Sequence, residues 1–292
     1  MDDREQFILL NLIPDIGSLR MKQLLDAFGS AEALVAASEA QLRQVEGIAP
    51  SLAQRLAEGC RAPRRLDEEL HLARQAGCVV LTQVDVSYPA PLRDIPDPPL
   101  ALYLKGTWTQ ADRVAVAIVG SRHASLYGQQ TTERLAYELA LRGVTVVSGL
   151  ARGIDAAAHR GALKAKGRTL AVLGNGLSQV YPPEHAELAQ EIVAHGALIS
   201  EYPMRMAPLA RNFPPRNRLI SGLSLGVVVV EAAGRSGALI TADCALEQAR
   251  EATLRRWRQD ESPSFRLTSN WSWGRGNDEH KSSMAYQPLW YN

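Results

Sequence analysis

The sequence predicts an α/β fold, with a small N-terminal helical domain followed by a mainly parallel, doubly wound sheet. Three observations carry this. Short β-branched runs recur after residue 110, each leads through a glycine-bearing loop into an amphipathic stretch, and the runs are apolar almost throughout. Strand, glycine turn and helix in alternation are the grammar of a parallel sheet, and strands apolar on both faces are strands covered by helices on both sides.

Residues 1–62 read as the helical domain. Apolar spacings such as Ile8/Leu12 and Leu24/Leu25/Phe28 have a helical period, broken by Pro14-Asp15-Ile16-Gly17 and Glu46-Gly47-Ile48-Ala49-Pro50. Two glycine-centred turns, each before an amphipathic helix, resemble helix-hairpin-helix modules, whose turn amides can hold a phosphate. Charge argues for packing or protein contact instead. Residues 1–105 carry 11 Lys and Arg against 15 Asp and Glu, whereas residues 106–251 carry 15 against 12 and residues 252–292 carry 6 against 4. A polyanion site therefore belongs after residue 105, and the excess is small enough that it must rest on placed arginines.

The second domain, 63–251, opens with a proline-rich entry. Tyr88-Pro89-Ala90-Pro91-Leu92 and Ile95-Pro96-Asp97-Pro98-Pro99 follow one β-branched run, Cys78 to Val84, so the stretch from 59 to 110 reads as one strand and a stiff connector. Five parallel strands follow, at Val114–Val119, Val144–Val147, Thr169–Leu173, Ala197–Ser200 and Val227–Val230, with helices near 129–142, 155–166 and 184–194. In such sheets ligands sit at the C-terminal ends of the strands.

Three loops at those ends suit an anion. Gly120-Ser121-Arg122 offers close backbone approach, a hydroxyl and a guanidinium. Ser148-Gly149-Leu150-Ala151-Arg152-Gly153-Ile154-Asp155 leads two glycines into a helix whose free amides attract negative charge. Glu231-Ala232-Ala233-Gly234-Arg235-Ser236-Gly237 repeats the pattern. Turn geometry for Gly149 and Gly153, and an N-cap for Asp155, remain equally good structural accounts. In Phe213-Pro214-Pro215-Arg216-Asn217-Arg218 the prolines start a helix with Arg216 and Asn217 at its anion-binding end. Arg216 and Arg218 lie about 200° apart around a helix, so one is expected to bind ligand and the other to brace structure. Phe213 could stack on a base or serve as core or lid.

Several classes are excluded or disfavoured. No apolar run approaches the roughly 20 residues of a membrane span, and the charged start Met1-Asp2-Asp3-Arg4-Glu5 is unlike a secretory signal, so a cytoplasmic protein with no membrane contact is expected. Cys60, Cys78 and Cys244 lack disulfide or metal spacing and read as small buried hydrophobes. His123, His159, His185 and His195 lack metal-ligand partners, so neither metal nor cofactor is expected, and His159 reads as a packing or hydrogen-bonding residue. There is no G-x-x-x-x-G-K-[ST] loop, and Gly174-Asn175-Gly176 lacks the third glycine of a dinucleotide fingerprint. Gly222-Leu223-Ser224-Leu225-Gly226 matches a hydrolase elbow in letters but precedes a strand instead of following one. Glu201 and Glu231 sit at strand ends and could be paired catalytic acids, but carboxylates that neutralise nearby arginines are the preferred reading. No catalytic motif is found.

In order and spacing, Gly120-Ser121-Arg122, Ser148 to Asp155, Ala171 to Leu177 with Tyr181-Pro182, Phe213 to Arg218, and Ser236-Gly237-Ala-Leu-Ile-Thr241 resemble the DNA-processing protein A (DprA/Smf) family. The resemblance covers roughly residues 7–250. It implies an extended Rossmann-like domain after the helices, and binding of single-stranded DNA without sequence preference. It also implies protection of incoming strands in natural transformation, and loading of RecA onto DNA covered by single-strand-binding protein. By resemblance, Arg122 is the first phosphate contact, with Gly120 and Ser121 shaping its loop. Ser148, Gly149, Arg152 and Gly153 form one wall and Phe213, Arg216, Asn217 and Arg218 the other, and Ser236 and Gly237 are counted with the DNA-binding residues.

The pattern departs after Arg250-Glu251. The tail, 252–292, has no Val, Ile or Cys and holds four of the five Trp. It is expected to be a truncated or out-of-frame end, largely disordered, leaving the sheet without its last strand. By resemblance the homodimer and RecA surfaces lie partly there, so both depend on residues that differ here. Two further readings are a nucleotide-cleaving phosphoribohydrolase-like enzyme, whose P-G-G-x-G-T-x-x-E loop this chain lacks, and a non-functional remnant.

Overall fold

The computed structural model describes residues 1–14, 16–232 and 236–255. Five helices come first: α1 (Asp3–Asn11), α2 (Ser18–Phe28), α3 (Ala31–Ala36), α4 (Glu39–Leu42) and α5 (Pro50–Cys60). Their starts are written in side chains. The Asp2 carboxylate accepts from the Glu5 amide at 2.7 Å while the Glu5 carboxylate accepts from the Asp2 amide at 3.1 Å, Ser30 and Ser38 cap α3 and α4, and Pro50 opens α5. Leu24, Leu34, Leu42, Leu52 and Leu56 close a core of their own. Ile8 and Leu9, however, pack among Ala171, Leu173 and Leu198 of the sheet.

The entry segment corrects the reading of one strand and a stiff connector. Helix α6 (Pro63–Gln75) precedes β1 (Cys78–Thr82), the short helix α7 (Ala90–Arg93) follows, and a second strand, β2 (Ala101–Gly106), pairs antiparallel with β1. Helix α6 was hidden by its start, Pro63-Arg64-Arg65, and by a charge-rich exposed face around Leu66 and Ala73. Strand β2 also pairs antiparallel with a later strand and so joins the two parts of the sheet.

The predicted alternation then appears: β3 (Ala115–Gly120), α8 (Leu126–Leu141), β4 (Thr145–Ser148), α9 (Ile154–Lys164), β5 (Thr169–Val172), α10 (Ala186–His195), β6 (Ala197–Ser200), α11 (Phe213–Gly222), β7 (Gly226–Val230) and α12 (Gly237–Glu247). A final strand, β8 (Glu251–Arg255), pairs parallel with β7 from Gly226↔Glu251 to Val230↔Arg255, which corrects the expectation of a sheet lacking its last strand. The sheet order is β1-β2-β6-β5-β4-β3-β7-β8, and β6 through β8 are all parallel. Strand order reverses between β3 and β7, where a doubly wound sheet opens a crevice at its carboxyl edge. The expected disorder of the tail falls on residues 256–292, outside the described residues.

Both faces are covered. Val119, Val147, Leu170, Ile199 and Val229 pack with Leu219 and Leu223 on one side, while Ile118, Val146 and Val230 meet Leu135, Ile154 and Ala158. Each such buried side chain contributes about 1.5–3 kcal/mol. Cys60 and Cys244 sit where burial pushes their thiols up to about 11, away from reactive thiolate character. Among the described residues, no helix is long and apolar enough to cross a membrane.

Candidate functional site

The site forms where β3, β4 and the start of α11 converge. After Gly120 the chain is stitched on both sides: the Ser121 amide donates to Val230 O at 3.3 Å, the Ile154 amide donates to Ser121 O at 3.1 Å, and the His123 amide donates to the Ser121 hydroxyl at 3.1 Å. Gly153 makes this possible. Its φ is +72°, and a methyl group there would strike Ser121 O and stand 2.9 Å from the Arg122 carbonyl. The exposed Arg122 is thus carried on a loop pressed against the start of α9.

Beneath it lie two buried, opposite charges, Asp155 and Arg216. The Asp155 carboxylate accepts from the Gly149 amide at 3.2 Å and the Ala151 amide at 3.3 Å, so it ties down the β4–α9 loop and does not cap its helix. The Arg216 guanidinium donates to Gly149 O at 3.0 Å and to Val172 O, while its Nε donates to Asn217 Oδ1 at 3.2 Å. The two charges meet over Gly149, where an added methyl would lie 2.7 Å from Asp155 Oδ2 and 2.8 Å from both terminal nitrogens of Arg216. Burial pushes Asp155 up, opposed by Arg216 and by the loop amides, and pushes Arg216 down to about 10, opposed by Asp155. Gly149→Ala is expected to cost about 1–3 kcal/mol by overpacking this pair, seen as a lower denaturation midpoint at unchanged m-value.

Phe213 joins the pair to the surface. Its half-buried ring has the Arg122 Cζ 5.5 Å from its centroid, the Arg216 Cζ at 5.8 Å, and the Tyr181 ring at 5.8 Å with a 41° tilt. Arg122, Gly149, Ala151, Arg152, Tyr181, Pro182 and Phe213 line a shallow cleft enclosing about 30 Å³, the room of one water. A ligand must lie on this surface instead of sinking into it. Leu150, behind the cleft, holds a left-handed backbone at φ 58°, and its carbonyl accepts from His185 Nδ1 at 2.9 Å.

The predicted residues divide. Gly120, Ser121, Arg122, Gly149, Arg152, Gly153, Phe213 and Arg216 come together here. Ser148 is buried behind them, donating to Ile118 O at 2.6 Å. Asn217 donates to Gly237 O at 3.1 Å, and Ser236 caps α12 through the Ala238 amide at 3.3 Å. Arg218 is turned away, buried between Asp97 and Glu201 at 2.7 Å each. Glu201 thus neutralises an arginine, whereas Glu231 accepts from the Ser125 amide at 2.8 Å and from its hydroxyl. His159 packs with Nδ1 2.7 Å from Thr169 Oγ1, and burial holds it neutral, down to about 3. Sequence reasoning missed Tyr181 as a wall and Glu184, whose carboxylate pairs with Arg152 at 2.5 Å.

The family model described as "DNA recombination-mediator protein A" matches residues 79–264, reaching past the point where the family pattern was expected to stop. The chain belongs to this family. A second model, a SAM-like helix-hairpin-helix tandem, matches residues 7–62. Protein Smf of Escherichia coli is 53% identical over 165 residues, covering 56% of this chain and 44% of its own length. Among the first curated relatives, the chain spans between 44% and 63% of their length. The X-ray structure of DNA processing protein A from Streptococcus pneumoniae has a TM-score of 0.73 at 30% identity, with 89% of each chain covered. That of Helicobacter pylori DNA processing protein A, described for its single-stranded DNA binding mode, has a TM-score of 0.56 at 32% identity, covering 63% of this chain and 83% of the other. The family resemblance and the α/β fold read from the sequence agree with these matches.

Proposed function

We propose that this chain binds single-stranded DNA without sequence preference, as a cytoplasmic, non-catalytic member of its family that acts in DNA processing during transformation. The observation that carries the reading is the exposed Arg122 beside the Phe213–Tyr181 pair at the strand-end cleft. The cation holds a phosphate, and the aromatic faces accept any base, but only one freed from its partner strand. Protection of incoming strands, loading of RecA on strands covered by single-strand-binding protein, and a homodimer are the finer parts of the proposal. They rest on family membership. Residues 1–62 serve in it as a packing module and 63–251 as the DNA-binding domain. Both strand-end carboxylates are engaged, Glu201 by Arg218 and Glu231 by Ser125, which supports binding over nucleotide cleavage.

Fluorescence anisotropy with a labelled single strand and its duplex, across a salt series, tests this. Arg122→Ala is expected to weaken single-strand binding about 10- to 100-fold, one charge-assisted contact, and to flatten the log–log salt slope by about 0.7. A folded parent protein that binds neither form, or an Arg122→Ala variant that binds like the parent, rejects the reading.

A further inference from the structure

At the rim of the cleft Arg152 already has a carboxylate against it, its Nε donating to Glu184 at 2.5 Å. Both side chains are about half exposed, 57% and 48%, so the pair adds little to stability and competes with water and salt. Yet its geometry is imposed. Glu184 sits in the short 3₁₀ turn Pro183–His185, and the neighbouring His185 is fixed by its 2.9 Å bond to the Leu150 carbonyl, two residues before Arg152. The turn that delivers the carboxylate is therefore fastened to the same loop that carries the arginine.

Resting on the DNA-binding reading above, we infer that Glu184 is an internal competitor for the phosphate backbone, and that Arg152 exchanges Glu184 for a phosphate when a strand is bound. A lone phosphate must displace a carboxylate held beside the guanidinium. A strand already held at Arg122 brings its next phosphates at high effective concentration, so it displaces the carboxylate more readily. Glu184 thus acts on ligands that reach both arginines: it lowers the affinity of such a strand by the full cost of displacing the carboxylate, and that of a mononucleotide, which can sit at Arg122 alone, by less. Its negative charge also cancels half the positive charge that Arg122 and Arg152 bring to the cleft.

The test is anisotropy and competition on the full chain with oligothymidylates of increasing length and with thymidine monophosphate, for the parent, Glu184→Gln, Arg152→Ala, the double variant and Arg122→Ala. Glu184→Gln is expected to tighten binding of oligonucleotides long enough to reach Arg152 about two- to fivefold, with a smaller gain for thymidine monophosphate. It should also steepen the salt slope for those oligonucleotides by about 0.7, the share of one phosphate. In the Arg152→Ala background the slope change should vanish. If Arg122→Ala weakens binding while Glu184→Gln leaves affinity and slope at parent values for every length, the competitor role is overturned and the binding reading stands. If the parent binds no oligonucleotide, both fall together.

Discussion

Replacing Arg216 with methionine is expected to destabilise the protein by about 3–5 kcal/mol, because it leaves the buried Asp155 carboxylate without the cation nearby. Methionine retains the apolar stem, so the cost comes chiefly from the uncompensated charge. Its sign with pH is fixed. Asp155 already titrates above its ordinary 3.8, and loss of Arg216 raises it further. A carboxyl whose pKa is higher in the folded than in the unfolded state contributes stability below the unfolded pKa, lost as pH rises through the folded one. Acidification through the folded pKa of Asp155 toward the ordinary carboxylate range should therefore restore part of the stability of Arg216→Met and less in the parent, as read by urea midpoints. The same variant removes the guanidinium 5.8 Å from Phe213, so single-strand binding should also weaken at temperatures where the variant remains folded.

Arg218→Met is expected to be as costly, about 3–5 kcal/mol, for a different reason. Two carboxylates, Asp97 and Glu201, share this one guanidinium, and without it they repel one another in a buried site. Asp97 also accepts from the Ser18 hydroxyl at 2.8 Å, and the Glu201 carbonyl accepts from Asn11 at 3.0 Å, so the loss loosens the N-terminal helices from the end of β6. Denaturation and binding separate the two arginines. At equal destabilisation, folded Arg218→Met should keep its affinity for single strands and folded Arg216→Met should not. Equal losses of affinity in the two variants would show that Arg216 acts only through stability.

The five parallel strands were legible because each is a short apolar run; four close on glycine or serine, and β7 runs into Glu231. Strand β8 was not. At a sheet edge only Ala252 and Leu254 of Glu251–Arg255 are apolar, a weak alternation beside the solid run of β7. Strand β2 follows Pro98-Pro99 so closely that its Leu102, Tyr103 and Leu104 read as the end of a connector. In the site, Arg122 and Phe213 were visible from residue type and position, and the helical offset foretold that Arg216 and Arg218 would part. That both are buried was not visible, since it depends on Asp155, Asp97 and Glu201 arriving from distant segments. Glu184 gave no signal, because an exposed acid in a turn has many ordinary uses.

The place of β3 has a consequence for the order of synthesis. Its Ala115 to Ala117 pair on one side with β4, made soon afterwards, and its Val116 to Gly120 on the other with Gly226 to Val230, made far later. A nascent chain that has not reached Gly226 presents the central strand as an open edge, with unpaired amides and carbonyls between apolar side chains. The protein is therefore most exposed to mispairing late in translation, when most of the sheet exists and its middle is still a border. Emergence of β7 closes that border and, by receiving the Ser121 amide at Val230, also fixes the loop that carries Arg122.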